Sequence, residues 1–284
     1  MELKGAKMEL KLEAELIEIT KRAGDAILEV YGSDFEVENK ADESPLTQAD
    51  LAAHDIIAAG LARVTPDIPV ISEESEPPDY DERRAWSEYW LVDPLDGTKE
   101  FVNRNGEFTV NIALIQDGQP MWGIVGVPVQ ERIFIGDVEA GKATVIDVDG
   151  AREISGRVMS RDIEELVVVA SRSHGGERLE TYIDALATRV KSLSRTPVGS
   201  SLKLCVLASG EADCYPRLAP TSEWDIGAAH AVLRAAGGEV YQTSQAVLTY
   251  NAKESFLNPE FIAVADASFG WWSLLPDIPP LDAS

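Results

Sequence analysis

The sequence predicts a mixed α/β protein, and three observations carry that expectation. Segments with helical periodicity alternate with short apolar runs along almost the whole chain. Four of those runs follow one another between residues 109 and 148, separated by turn residues, as in an antiparallel meander. No repeat, heptad or low-complexity tract points to another architecture, and 284 residues suffice for one large domain or two intimately packed halves.

The elements follow in order. Met1-Glu2-Leu3-Lys4 recurs as Met8-Glu9-Leu10-Lys11, so Met8 is a candidate start and the residues before it a frayed extension. Leu12, Leu16, Ile19, Ala23, Ile27 and Val30 share one face of a helix that stops near Gly32. Val37 to Ser44 reads as a short strand and turn, and a second helix is expected from about Thr47 to Val64. Val70 to Ser72 and Tyr89 to Val92 are apolar runs ending in acidic residues, as buried strands end when they deliver side chains to a site. The polar stretch Glu74 to Arg84 between them, with Pro77-Pro78, is expected to be a loop. The meander strands are Thr109 to Ile115, Met121 to Val127, Arg132 to Gly136 and Ala143 to Val148, turning at Asp117-Gly118, Pro128 and Gly141. Strands at Val167 to Ala170 and Asp213 to Arg217 and helices at Glu177 to Ala187, Leu202 to Ser209 and Ile226 to Ala236 complete the pattern. The Pro-rich end after Pro276 reads as a loose tail, and Trp271-Trp272 as hydrophobic closure of the C-terminal edge.

Composition narrows the function. Forty-nine acidic against twenty-five basic residues give a net charge of −24, a field that repels nucleic-acid polymers and anionic lipid. A small phosphorylated substrate stays compatible, because bound divalent cations reverse the local potential. No apolar run approaches the roughly 20 residues of a membrane span, and the charged N-terminus lacks a signal core, so a cytoplasmic protein is expected. Cys205 and Cys214 lie in apolar stretches and are expected to be reduced and packed; His54 and His230 fall within helices as packing or surface residues.

The stretch richest in chemistry is Asp93-Pro94-Leu95-Asp96-Gly97-Thr98, two carboxylates three residues apart after an apolar strand. Hard divalent cations take such oxygen ligands. Gly97 can adopt torsions that turn the following amides toward an anion, so a metal and a phosphate can sit side by side. Asp, Pro and Gly also make ordinary turns. Glu73-Glu74 follows the preceding strand, and one of the two is expected to point inward. Asp225, after Trp224, reads as a helix N-cap or a ligand, and Asp50 stands near the start of its helix.

Asp50, Glu73-Glu74, Asp93 to Thr98, Trp224-Asp225 and Gly237-Gly238, in that order, resemble the signature of the lithium-sensitive inositol monophosphatase superfamily. Within it, Lys99-Glu100-Phe101, Arg104 to Asn111, Ser171 to His174, Gly199 to Lys203, Tyr215-Pro216-Arg217 and Glu254 to Pro259 are similar to bacterial 3'(2'),5'-bisphosphate nucleotidases. The likeness weakens at 143–161 and 241–249. The resemblance implies a layered α-β-α-β-α sandwich of the inositol monophosphatase/fructose bisphosphatase type. Residues 1–155 would form a metal-binding half and 156–284 a half closing the substrate pocket. It also implies that Glu73, Asp93, Asp96, Asp225 and the Leu95 carbonyl hold two or three Mg²⁺ ions. Thr98, hydrogen-bonded to Asp50, would orient or deprotonate the attacking water, with Glu73 also catalytic, while the Gly97 and Thr98 amides grip phosphate oxygens. Lys203 and Arg217 would pair with a remote phosphate, His174 would pack on the adenine or bond the sugar with Ser173 and Ser200 nearby, and Asp225 would also touch substrate.

The implied substrate is adenosine 3',5'-bisphosphate, with 3'-phosphoadenylyl sulfate also accepted. That gives AMP or adenylyl sulfate and phosphate, links the chain to sulfate assimilation, and brings inhibition by Li⁺ at a Mg²⁺ site. A monomer or homodimer is expected, and attachment to the cytoplasmic face of the inner membrane stays open. The alternatives are inositol monophosphate or fructose 1,6-bisphosphate hydrolysis on the same scaffold, and a catalytically silent cation- or nucleotide-sensing protein. A haloacid-dehalogenase-type phosphatase fits less well, since its two aspartates are one residue apart and here Pro94 and Leu95 intervene.

Overall fold

A computed structural model describes residues 2–32, 37–39, 45–160, 162–171 and 176–280. The first helix, α1, spans Glu2–Tyr31 and so takes in the opening residues read above as an extension. Strands β1 (Val37–Asn39) and β2 (Pro45–Thr47) pair as a small ribbon before α2 (Gln48–Val64), where the sequence suggests one strand and a turn. Next come β3 (Val70–Ser72), α3 (Tyr80–Arg83), β4 (Glu88–Asp96) and α4 (Thr98–Val102). The short helix α3 sits inside the stretch expected to be loop; Asp79 caps it by accepting the Asp81 amide at 2.8 Å, which lets one turn form in a polar segment.

The meander is β5 (Thr109–Gln116), β6 (Gln119–Val127), β7 (Arg132–Asp137), β8 (Lys142–Asp147) and β9 (Gly150–Ile154). All its pairings are antiparallel, while β3 joins β4 in parallel, giving a seven-stranded sheet in sequential order. The second half supplies β10 (Leu166–Ser171), α5 (Glu177–Ala187), β11 (Leu193–Val198), α6 (Leu202–Ala208) and β12 (Cys214–Arg217). It ends with α7 (Glu223–Ala235), β13 (Glu239–Gln242) and β14 (Phe261–Val264). These strands form a five-stranded sheet ordered β11-β10-β12-β14-β13.

Five layers result, α-β-α-β-α, as the resemblance implies. Leu16, Ile19, Ala23 and Ile27 of α1 and Ala53, Ile57 and Leu61 of α2 pack on Trp90, Val92, Val110, Ile112 and Ile124. Their strand neighbours Leu91, Ala113 and Val125 point to the opposite face, the period of two that a sheet buried on both sides requires. There they meet α6 and α7, whose far side carries the second sheet, and α5 covers that sheet with Leu179, Tyr182, Ile183 and Leu186.

The middle layer is close-packed. Gly123 and Gly136 are cross-strand partners in β6 and β7, and a Cβ there would stand 2.3 Å from the Ala228 carbonyl and 2.4 Å from the Val232 Cα. Their bare backbone lets α7 lie directly on the sheet. Both cysteines are free and buried. His230 is buried in α7 with Tyr250 Oη on Nδ1 at 2.9 Å and Glu239 on Nε2 at 2.6 Å, and His54 Nδ1 meets Ser72 Oγ at 2.9 Å, so both histidines serve the framework. Trp271 is buried beside Phe269 and donates its indole N–H to the Asp266 carbonyl at 2.7 Å, closing the C-terminal edge.

Candidate active site

The aspartate motif does not simply follow its strand: β4 continues through Asp96. Asp93 pairs with Asn111 and Asp96 with Thr109, so Pro94 and Leu95 together oppose Val110 alone. This bulge re-aims the side chains at the strand's end, and Pro94, which has no amide hydrogen to donate, stands where the ladder is interrupted. Asp93 fixes the kink by accepting the Leu95 amide at 3.1 Å. Gly97 then takes φ +90°, a left-handed turn that starts α4. Glu73 is level with Asp93 because its amide continues the parallel ladder, donating to the Val92 carbonyl at 3.1 Å. Asp225 enters from the second half, at the third position of α7. The N-cap is Ser222, and Asp225 completes a capping box by accepting the Ser222 amide at 3.0 Å. Asp225 therefore serves both the helix start and the cleft.

Glu73, Asp93, Leu95, Asp96, Gly97, Thr98, Ser200, Lys203, Arg217 and Asp225 line one cleft of about 250 Å³. Ten of the predicted site residues thus come together from β4, α4 with its N-cap, α6 with the turn before it, α7 and the ends of β3 and β12. Glu74 does not line the cleft, which makes Glu73 the inward member of the pair. Asp50 is buried in the first turn of α2, outside the lining but near enough to Asp93 for its charge to act there. The Thr98 hydroxyl donates to the Leu95 carbonyl at 3.5 Å, so its pairing with Asp50 would require the hydroxyl to turn. Ser173 and His174 lie outside the described residues.

The electrostatics are those of an oxygen-ligand site. Burial first, then the fields of Glu73, Asp96, Asp225 and Asp50, push the Asp93 carboxyl well above the usual carboxylate range. Burial and the charge of Asp96 do the same to Asp225. Asp96 is raised to about 7, chiefly by burial, while Lys203 and the Ser201 amide hold it down. Asp96 and Asp225 keep part of their surface open to the cleft even though protein surrounds them, so a small ion can reach them. Among the described residues, no three acidic, histidine or cysteine side chains already converge as a metal cluster. Like charges repel, so tight convergence of such carboxylates requires a cation's own attraction. Their chemistry, four carboxylates and one carbonyl, fits a hard divalent ion.

Two cations share the cleft with the carboxylates. The Lys203 ammonium is buried, donates to the Ser200 carbonyl at 2.8 Å, and is lowered to about 8, by burial first. Arg217 is held by the Ala219 and Pro220 carbonyls at 3.0 and 2.8 Å. The sequence reading missed Glu100, Ser201, Tyr215 and Thr221, which also line the cleft. Glu100, Ser201 and Tyr215 lie in segments that carry the resemblance, but nothing in their local pattern says that they face inward.

The family model described as "Inositol monophosphatase family" matches residues 9–267. The 3'(2'),5'-bisphosphate nucleotidase CysQ of Escherichia coli O157:H7 is 47% identical over 87% of this chain and 97% of its own length. The CysQ of Buchnera aphidicola is 38% identical over 90% and 94%. Among solved structures, CysQ from Bacteroides thetaiotaomicron superposes with a TM-score of 0.78 at 41% identity, covering 90% of this chain and 97% of that one. The inositol monophosphatase from Anabaena, at 21% identity and a TM-score of 0.68, shares the fold.

Proposed function

The chain belongs to the inositol monophosphatase family, and from that premise we propose that it is a metal-dependent 3'(2'),5'-bisphosphate nucleotidase. As a phosphoric monoester hydrolase it would split the 3'-phosphate ester of adenosine 3',5'-bisphosphate with water, giving AMP and inorganic phosphate. 3'-Phosphoadenylyl sulfate would yield adenylyl sulfate by the same step, which links the activity to sulfate assimilation in the cytoplasm. Among the described residues no helix is long and apolar enough to cross a membrane. One observation supports the nucleotide over a monophosphate: the carboxylate wall shares its cleft with Lys203 and Arg217, two cations that a second phosphate would need.

Glu73, Asp93, Asp96, Asp225 and the Leu95 carbonyl would hold the metal, for which we propose Mg²⁺, with Li⁺ as an inhibitor. When bound, divalent cations neutralise the phosphate, lower the pKa of water and stabilise the leaving oxygen. The chain supplies the rest. The Gly97 and Thr98 amides at the start of α4 would grip phosphate oxygens, and the Thr98 hydroxyl, turned toward Asp50, would orient the attacking water. Lys203 and Arg217 would fix the remote phosphate so that the scissile ester lies against the carboxylates.

The test is phosphate release with Mg²⁺ from adenosine 3',5'-bisphosphate, inositol 1-phosphate and fructose 1,6-bisphosphate. The nucleotide should be strongly preferred, and Asp96→Asn should abolish turnover. Preference for inositol 1-phosphate would keep the metal site but remove the roles of Lys203 and Arg217; no release from any substrate would end the phosphatase reading.

A further inference from the structure

We infer that Ser201 is a positioning residue for Asp96, locked in place by a ring of hydrogen bonds with Asn111 and Thr109; this rests on the reading of Asp96 as a metal ligand. Ser201 stands at the N-cap position of α6, yet its hydroxyl makes no capping bond. It points back into the first sheet, donating to Asn111 Oδ1 at 2.6 Å. Asn111 Nδ2 donates to Thr109 Oγ1 at 3.1 Å. The Ser201 proton is spent on Asn111, so the 2.8 Å contact between the two hydroxyls is Thr109 donating to Ser201. Each member therefore gives one hydrogen bond and takes one. All three are sealed from solvent, at 0% exposure for Thr109, 1% for Asn111 and 2% for Ser201. A closed, buried ring of this kind fixes its members firmly, because breaking one bond strands its neighbours.

Its placement makes it more than packing. Asn111 and Thr109 are the cross-strand partners of Asp93 and Asp96. The ring ties the ligand-bearing ladder to the turn before α6, and there the Ser201 amide donates to Asp96 Oδ2. That bond occupies one carboxylate oxygen of Asp96, a residue that lines the cleft. The same turn holds Ser200 in the left-handed region, φ +46°, and directs Lys203 by its bond to the Ser200 carbonyl. A non-glycine residue keeps such a backbone only where its surroundings impose it. The ring fixes the neighbouring Ser201, so its loss should let the turn relax and Asp96 rotate, and weaken binding of the cation that Asp96 helps to hold.

The experiment is Mg²⁺ binding by calorimetry on the full chain, with thermal unfolding in chelator measured alongside. Ser201→Ala removes one hydroxyl, and Thr109→Val removes the other at nearly constant volume. Both should raise the Mg²⁺ dissociation constant about tenfold. Thr109→Ser, which keeps the hydroxyl, should bind close to the native value. Unchanged Mg²⁺ affinity in both hydroxyl-deleted variants, with only a lower melting temperature, would reduce the ring to a structural device and overturn the inference. Absence of Mg²⁺ binding by the unmodified protein would overturn this inference and the metal-site reading together, so the two failures are distinguishable.

Discussion

Arg83 is a single residue whose side-chain hydrogen bonds all go to distant partners. It is buried in α3, with the guanidinium bonded to the Asn251 amide oxygen and the Lys253 and Glu254 carbonyls, and packed at 4.0 Å over the Phe256 ring. The clamped segment reaches the site. Asn251 donates its backbone N–H to Glu223, and the Glu223 amide donates to the Phe256 carbonyl, both next to Asp225 at the start of α7. A planar fork serves three acceptors in fixed directions, which an ammonium cannot do. Arg83→Lys should therefore cost roughly 3 kcal/mol in urea unfolding despite keeping the charge; full retention of stability would show that the fork geometry contributes nothing. The residue was illegible in the sequence for the same reason that Ser201 was. Its partners are more than 160 positions away, and a polar stretch with two prolines gives no sign that one of its arginines is buried. Asp93 and Asp96 were legible because their pattern is local, an apolar strand that ends in acids, whereas the local pattern left Glu73 and Glu74 undivided and only the family resemblance singled out Glu73.

At the scale of elements, legibility followed periodicity and length. The seven-stranded sheet was readable from β3 through β8, where apolar runs are bounded by turns, and helix α5 was read at its observed limits, Glu177–Ala187. The strands β9, β11, β13 and β14 were not. The second of these carries Arg195 and Pro197, and a proline that cannot donate to a ladder reads as a break; it is tolerated because β11 lies at the edge of its sheet. Strands β13 and β14 are four residues long and pair with each other, β14 also with β12 and β13 also with the stretch around Val247, so their register comes from distant partners; β9 is a five-residue, largely exposed edge strand without an apolar run. The glycines of β6 and β7 were legible as residues but not as a floor. That role depends on α7 lying across them, and α7 is also the helix that delivers Asp225. Gly136→Ala places a methyl against the backbone of Val232, where no side chain can swing aside. The expected cost is about 1–3 kcal/mol of stability, read as a lowered melting temperature. Turnover should fall with it, since α7 must shift to make room; a variant with unchanged melting temperature and rate would mean that the helix does not rest on this floor.

For the whole molecule, the fold concentrates charge that the chain as a whole already carries in excess. With a net charge of −24, folding draws Glu73, Asp93 and Asp96 of the first sheet's end together with Asp225 of the central helix layer. Burial and mutual repulsion both oppose ionisation there, so the folded state bears a strain that the unfolded chain, with its carboxylates in water, does not. Lys203 relieves part of it at Asp96 and Arg217 at Asp225. A divalent cation bound among these oxygens relieves more, and it does so only in the native state, because only folding brings these residues to one cleft. Ligand linkage then sets the size of the effect: at a free concentration one hundred times the dissociation constant, a site binding only the folded form adds about 2.7 kcal/mol. For a chain of this length that corresponds to a rise of roughly 5 °C in melting temperature. The measurement is thermal unfolding in Mg²⁺ against chelator, both adjusted with NaCl to one ionic strength so that screening of the −24 charge is equal in the two. Mg²⁺ should raise the melting temperature of the unmodified protein and leave that of Asp96→Asn much less affected. Equal melting temperatures in Mg²⁺ and in matched NaCl would mean that the carboxylates act as a diffuse acidic surface, and the metal-dependent mechanism would lose its physical basis.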